Sequence, residues 1–347
     1  MSAPDVAVIG GGIVGVSAAA FLARAGARVE LFERAELAAA ASGRNSGAIQ
    51  HPYDPELLGL HDETVATYSN LDGFAFDPEP AGVLVLGRDA AALAALAADL
   101  GEAFPELEPA VVDGRAAEPL LAPGVAACRL RSGHPVRPEA ATLAFAEAAR
   151  AAGAVLHTAA PARAADLLET SGAVLVAAGP WTPEVVDPTG SWRPITPVWG
   201  VNAEVALEEP PRAILEEGGV ESAVAGAAPP LLFSLTTVGG VGALGSTFLD
   251  REPDPDAFVP ALLERGRAFV PALGEAVSVR ACARPQCFDG RPLLGPIPGR
   301  GRLFVAAGHG PWGISTGPAS ARLVADAILD PATAIPPALD VARACAA

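Results

Sequence analysis

The chain contains no lysine. All 23 of its basic residues are arginines, set against 40 Asp and Glu, so 347 residues carry a formal net charge of −17. A field of that sign repels nucleic acid and anionic lipid, and the arginines are scattered rather than gathered into a patch. Neither is therefore an expected partner. Small anionic substrates stay open, because one well-placed Arg can dominate a pocket. Only four cysteines occur, none in a C-x-x-C pair, which fits a reducing compartment better than a disulfide framework and suggests no metal site. No apolar run reaches the roughly 20 residues a membrane helix needs. The opening "MSAPDVAVIGGG" lacks a basic region ahead of its apolar segment, unlike a signal peptide. These absences predict a cytoplasmic protein with no membrane span. Its length allows two domains.

What is present is concentrated at the start. In "DVAVIGGGIVGVSAAAFLARAGARVELFER", Val6–Ile9 reads as a short buried strand running into Gly10-Gly11-Gly12-Ile13-Val14-Gly15. A helix follows to about Arg24, ended by Gly26, and Val29–Phe32 is a second strand closed by Glu33 and Arg34. Glycines at this spacing permit a tight turn, close backbone approach to a pyrophosphate, and close packing of helix on strand. The helix N-terminus offers unpaired N–H groups to phosphate. Glu33, 18 residues after Gly15, stands where a carboxylate can accept hydrogen bonds from an adenosine ribose. An adenine dinucleotide is expected here, and the motif alone leaves NAD and FAD open.

Three further blocks recur in a known order: "AAAASGRNSGAIQHP" (38–52), "GAVLVAAGPWTPEV" (172–185) and "LFVAAGHGPWGISTGPASARLVADAIL" (303–329). With the opening motif, they resemble the FAD-dependent D-amino acid oxidase superfamily, which includes glycine oxidase, sarcosine oxidase and L-2-hydroxyglutarate oxidase. The resemblance runs along nearly the whole chain and is loose between about 60 and 130. It implies an α/β fold: a Rossmann-like FAD-binding domain and a second, substrate domain on a mixed β-sheet. The segments expected for the first are 1–50, 137–190 and 284–347; those for the second are 51–136 and 191–283. No second G-x-G-x-x-G has strand and helix context, which disfavours an enzyme binding FAD and NAD(P)H in twin domains.

The resemblance also implies contacts. FAD would meet Ser42, Arg44, Asn45 and Ser46 in the small-residue loop, Ala162 near the adenine, and Ala178, Gly179 and Trp181 after a buried strand. Gly308, His309, Gly310, Gly313 and Ile314 would line the flavin, in a glycine-rich turn followed by a helix from about Gly317. Helical segments near 56–70, 89–102 and 256–269 would pack outside the second sheet. Three strand-rich stretches, "RPITPVWGVNAEVAL", "PPLLFSLTTVGGVGALGSTF" and "GEAVSVRACARPQ", would build that sheet.

Arg284 falls where amino acid oxidases of this superfamily place an Arg for the substrate carboxylate, which a guanidinium can grip in a planar fork. Cys282 falls where sarcosine oxidase carries a cysteine joined to its flavin, although relatives with an Arg at position 284 generally hold FAD without a covalent link. The tyrosine that glycine oxidase sets beside its Arg is replaced here by Phe233, which cannot donate a hydrogen bond. Gln50, His51 and Tyr53 are pocket candidates, from a loop that runs near the flavin in relatives. Trp192, Trp199 and Trp312 are candidates for pocket wall or core. The leading reading is hydride removal from the α-carbon of a small amine or amino acid, with oxygen or an electron carrier as final acceptor. A second is oxidation of a 2-hydroxy acid, for which His51 or His309 would have to act as base. A third is a flavin-carrying subunit that needs a partner subunit.

Overall fold

The computed structural model describes residues 4–219 and 231–345. Two sheets organise these residues. The first has six strands in the order Leu293–Pro296, Leu303–Ala307, Ala173–Val176, Val6–Ile9, Val29–Phe32, Val155–His157. Its neighbours run parallel except Leu293–Pro296 with Leu303–Ala307. Parallel strands are joined by helical crossovers and so become covered on both faces. Val6–Ile9 is accordingly apolar throughout. Val6 and Val8 enter a core shared with helices Ile13–Arg24, Pro138–Ala151 and Gly313–Leu329. Ala7 and Ile9 enter a core on the other face, with Val174, Val176 and Val305.

The second sheet has eight strands, in the order Ala276–Cys287, Ile195–Ala206, Val241–Thr247, Leu231–Val238, Ile214–Glu217, Val83–Gly87, Ala126–Leu130, Ala110–Asp113. It is mixed, because Ile214–Glu217 runs parallel to Val83–Gly87 while other neighbours are antiparallel. Alternation along the strands sorts its side chains. Val201, Ala203, Leu215, Phe233, Leu235 and Leu244 pack beneath helix Val259–Phe269. The opposite face carries Asn202, Glu216, Ser234, Cys282 and Arg284 toward a cavity.

Two expectations need correction. Helix Pro55–Ser69 does not pack outside the second sheet. Leu57, Leu60 and Tyr68 enter the first core beside Gly313–Leu329. The Tyr68 hydroxyl donates to Ile314 O at 2.8 Å, and Ala319 N–H donates to Thr64 Oγ1 at 3.2 Å. The alanine-rich helices of that core leave volume that these larger side chains fill. Strand Ala276–Cys287 pairs with Ile195–Ala206 as far as Cys287. Arg284 therefore projects from the second sheet. The C-terminal helix starts at Gly313 rather than near Gly317, directly after the 3₁₀ turn Gly310–Trp312. Gly317 continues it because the first helix lies close there: a Cβ would stand 3.1 Å from Val14 Cγ2. That contact outweighs the weak helix propensity of glycine.

Candidate active site

A cavity of about 550 Å³ is walled by both sheets. On the first sheet it begins at the turn after Val6–Ile9. Gly10 has φ +116°, and a Cβ there would lie 2.3 Å from Ala177 O, so the turn rests directly on the neighbouring strand end. Gly10, Gly12, Ile13 and Val14 face the cavity, whereas Gly15 packs against the backbone of Gly10. The Ser42 hydroxyl accepts from Ile13 N–H at 2.9 Å. Glu33 is held at the end of its strand by two backbone donors, Gly11 N–H at 2.6 Å and Ala35 N–H at 2.8 Å. The Arg34 guanidinium lies 3.8 Å from the centre of the Trp181 ring, a cation–π contact. Ala162, Ala178 and Gly179 complete this wall, and Arg44, Asn45 and Ser46 close it from the loop. Asn45 is a turn former: it donates to Ala41 O at 2.9 Å and accepts from Gly47 N–H at 2.8 Å.

These residues fit an adenine dinucleotide. A Cβ at Gly10 or Gly12 would collide with Ala177 O or Ser42 Oγ, so the turn keeps bare backbone at the cavity; the helix N-terminus opens into it, and a carboxylate stands one strand away.

At the far end, His309, Gly310, Trp312, Gly313 and Ile314 form the wall. Gly308 does not; it packs against Cys287 and Ile195. His309 is 1% exposed, and burial pushes its pKa down to about 4. Its ring is therefore neutral near pH 7, and among the described residues Nε2 has no hydrogen-bond partner. Arg284 faces these residues from the second sheet. It donates to Thr247 O at 2.9 Å and to Ser246 Oγ at 2.6 Å, and lies 4.8 Å from the centre of the Phe248 ring. Gly200 makes the room: a Cβ there would stand 2.6 Å from the guanidinium. Among the described residues no carboxylate pairs with Arg284. It is deep in the protein yet keeps surface on the cavity, and burial lowers its pKa below the ordinary arginine value. An arginine stays charged under such a shift.

The sequence pattern of the FAD dependent oxidoreductase family matches residues 5–327. The chain belongs to that family. It is an FAD-dependent oxidoreductase. It is 29% identical to a glycine oxidase of Pseudomonas aeruginosa, over 95% of this chain and 98% of that one. The crystal structure of glycine oxidase from Geobacillus kaustophilus shares the fold with a TM-score of 0.79 and 24% identity, covering 98% of this chain and 99% of the other. So does L-proline dehydrogenase from P. horikoshii, with a TM-score of 0.79, 19% identity, and coverage of 99% and 98%.

Within this flavoenzyme several expected site residues lie elsewhere. His51 is not on the cavity wall. Its ring packs 4.9 Å from Phe104 and 5.8 Å from His61, its Nε2 lies 3.3 Å from Glu106, and its Nδ1 accepts from Tyr53 N–H at 3.2 Å. Tyr53 stays off the wall with it, packed 6.1 Å from Trp312. Of the three loop candidates only Gln50 faces the cavity, as expected when successive residues of extended chain point to opposite sides. Phe233 is on the core face of its strand, stacked on Phe269 at 4.9 Å. It still borders the cavity, between its neighbours Leu232 and Ser234. Cys282 does reach the wall, but its thiol sits 3.7 Å from Arg44 O and burial raises its pKa. Cys287 is off the wall, with its pKa pushed up to about 12 by burial. Neither is a ready nucleophile. Trp199 and Trp312 line the cavity, and Trp192 packs in the core beyond.

The sequence reading missed Asn202, Glu216, Ser234, Ser246, Phe248 and Arg280. Arg280 ties the cofactor loop to the second sheet, donating to Arg44 O and Asn45 O at 3.1 Å each and pairing with Glu204. Polar residues at alternate positions of otherwise apolar strands were the available signal.

His51, His61, His134 and His309 all have pKa values lowered chiefly by burial. Between the folded values and the unfolded one, 6.5, the unfolded chain binds more protons. The stability from keeping these rings neutral is thus complete above about pH 6.5 and is lost as pH falls through that window. His309, shifted to about 4, contributes about 2 kcal/mol of this loss by pH 5. Urea midpoints should fall clearly between pH 7 and pH 5, less so in His309→Asn. Equal midpoints at the two pH values would contradict the reading.

Proposed function

We propose that this flavoenzyme oxidises the C–N bond of a small amino acid or amine. Arg284 carries the reading. It is a charged, cavity-facing guanidinium held by Ser246 and Thr247, with no carboxylate partner among the described residues. A substrate carboxylate would meet its planar fork with two oxygens, which fixes the α-carbon in the cavity. FAD, when bound, supplies the hydride acceptor. Gly10 to Ile13 would hold its pyrophosphate, Glu33 its ribose, Arg34, Ala162 and Trp181 its adenine end, and residues 309–314 its flavin ring.

A neutral amine can release hydride without a base in the protein, and among the described residues neither candidate histidine supplies a strong one. His51 is off the wall, and His309, with a pKa of about 4, is a weak base. A 2-hydroxy acid would need such a base, so the amine is favoured. The similarity to a glycine oxidase points the same way. The FAD is held without a bond to Cys282, whose thiol is buried against Arg44 O. In this reading the first sheet and its helices form the cofactor domain and the second sheet the substrate domain. The four free cysteines support a reducing, cytoplasmic setting, and among the described residues no helix is long and apolar enough to cross a membrane.

Anaerobic mixing with glycine, sarcosine and a panel of amino acids tests the proposal. Bleaching of the yellow protein by one of them is the expected result, and acid precipitation should leave the flavin in solution. A flavin-loaded protein that no amine bleaches, but a 2-hydroxy acid does, would overturn it. Bleaching that appears only on adding host extract would point to a partner subunit.

A further inference from the structure

We infer that Arg280 is a positioning residue that keeps the strand carrying Arg284 in register with the cofactor loop; this rests on the amine-oxidising reading above. Arg280 is not among the residues that line the cavity, so it acts through others. Its guanidinium makes three contacts. Nε donates to Arg44 O and Nη2 to Asn45 O, each at 3.1 Å, and Nη1 pairs with Glu204. Glu204 is itself held, because Ser278 Oγ donates to its other oxygen at 2.6 Å. That bond, with the charges of Arg280 and Arg137, keeps the Glu204 carboxyl below the usual carboxylate range. Arg137 stands at the start of helix Pro138–Ala151, which packs in the first core. The loop returns the contact: Arg44 Nη1 donates to Ala281 O at 3.5 Å, and Cys282 Sγ lies 3.7 Å from Arg44 O.

Each end of this tie leads to a working part of the site. On the loop side, Arg44, Asn45 and Ser46 line the cavity. Asn45 Nδ2 also donates to Ser42 O at 3.2 Å, and the Ser42 hydroxyl accepts from Ile13 N–H at the start of the first helix. On the strand side, Arg280, Cys282 and Arg284 occupy alternate positions of one strand and so share a face. Arg280 lies opposite Asn202 and Arg284 opposite Val198, and the shift of register in this pairing comes between Glu204 and Val205, outside that stretch. Four residues of regular strand span about 13 Å, so fixing Arg280 fixes Arg284. Ordinary surface ion pairs contribute little. This one differs, because the Arg280 side chain is only 19% exposed and two of its three contacts are loop carbonyls. Charge-assisted bonds are the stronger kind, and without them those carbonyls lose their donors. Hydride transfer is sensitive to placement, and a shift of about 1 Å can cost about 100-fold in rate. Losing the tie therefore slows the chemical step and leaves the carboxylate's hold on Arg284 nearly intact.

The test compares Arg280→Met and Arg280→Lys with the unaltered enzyme, all flavin-loaded and at equal flavin content. Anaerobic rapid mixing with the best amino acid gives the limiting rate of bleaching and the half-saturating concentration. Arg280→Met should lower the limiting rate about ten- to a hundred-fold, while half-saturation moves less than about threefold. Arg280→Lys keeps a cation with three donors and should recover part of that rate. Acetate gives a readout without turnover. It should perturb the visible flavin bands at a similar concentration in Arg280→Met and the unaltered enzyme, but with smaller amplitude in the variant. A merely structural role would lower Tm or flavin retention and leave the limiting rate per bound flavin unchanged, which would overturn the inference. So would a rate loss that arises wholly from weaker substrate binding. If no amino acid bleaches the unaltered enzyme, the amine-oxidising reading falls and the acetate spectra decide: equal amplitudes overturn the inference, and a smaller one at equal affinity upholds it. If neither amino acid nor acetate alters the flavin, Arg284 is not a clamp and the inference falls with it. Should Arg280→Met fail to fold, Arg280→Gln, which keeps a donor but cannot span both carbonyls and Glu204, is judged by the same criteria.

Discussion

Replacing Arg284 with alanine lowers kcat/KM for amino acid substrates about 100- to 1,000-fold. Two charge-assisted hydrogen bonds to a carboxylate are lost together, on the order of 3 to 4 kcal/mol in all. Arg284→Lys keeps a charge but not the fork, so it recovers only part of the loss. The guanidinium also holds Ser246 Oγ and Thr247 O, so flavin content, read from visible absorbance, must be measured alongside. Steady-state kinetics on preparations of equal flavin content then separate substrate binding from cofactor retention. An amine without a carboxylate should show a much smaller effect of the same replacement. If kcat/KM for the best amino acid is unchanged at equal flavin content, Arg284 is not the carboxylate clamp.

Gly10→Ala removes FAD binding. The residue has φ +116°, and the added methyl would lie 2.3 Å from Ala177 O. Backbone in such a region costs an L residue about 1 to 3 kcal/mol, and the collision must move either the turn or the adjoining strand end. Either movement displaces the backbone N–H groups at the start of helix Ile13–Arg24, where the pyrophosphate would lie. The variant should purify colourless or fail to fold, with flavin affinity down at least roughly a hundred-fold. Gly26→Ala is the informative control. It also has positive φ, +93°, but a Cβ there meets nothing within 4 Å. Only the backbone strain applies, so a modest drop in Tm with full yellow colour is expected. Two variants with equal flavin content would show that close approach at Gly10 is irrelevant to the cofactor.

The cofactor end of the protein was legible because its determinants are consecutive. Gly10 to Gly15, the helix behind them and Glu33 form one strand–helix–strand unit, and local spacing dictates what it can hold. Arg284 was legible through the resemblance of its segment to a family pattern, as was the glycine-rich turn at 308–314. The side each residue faces was less accessible. Gln50 and His51 are adjacent, yet one lines the cavity and the other packs on Phe104. Asn202 lines the cavity while its neighbours Val201 and Ala203 pack in the core, and a single residue of register exchanges such roles.

By itself the sequence determined the fold class and the FAD cofactor, and it singled out Arg284 as the expected carboxylate clamp. Only the tertiary structure decided which polar residues share the cavity with that arginine. Gln50, Asn202, Ser234 and Glu216 come from four separated segments, and strand order and register alone bring them together. The same holds for helix Pro55–Ser69, whose place follows from the volume left by alanine-rich helices far from it in the chain. Spacing along a chain specifies what a turn or a strand can do locally, but contacts between distant segments depend on how whole faces pack.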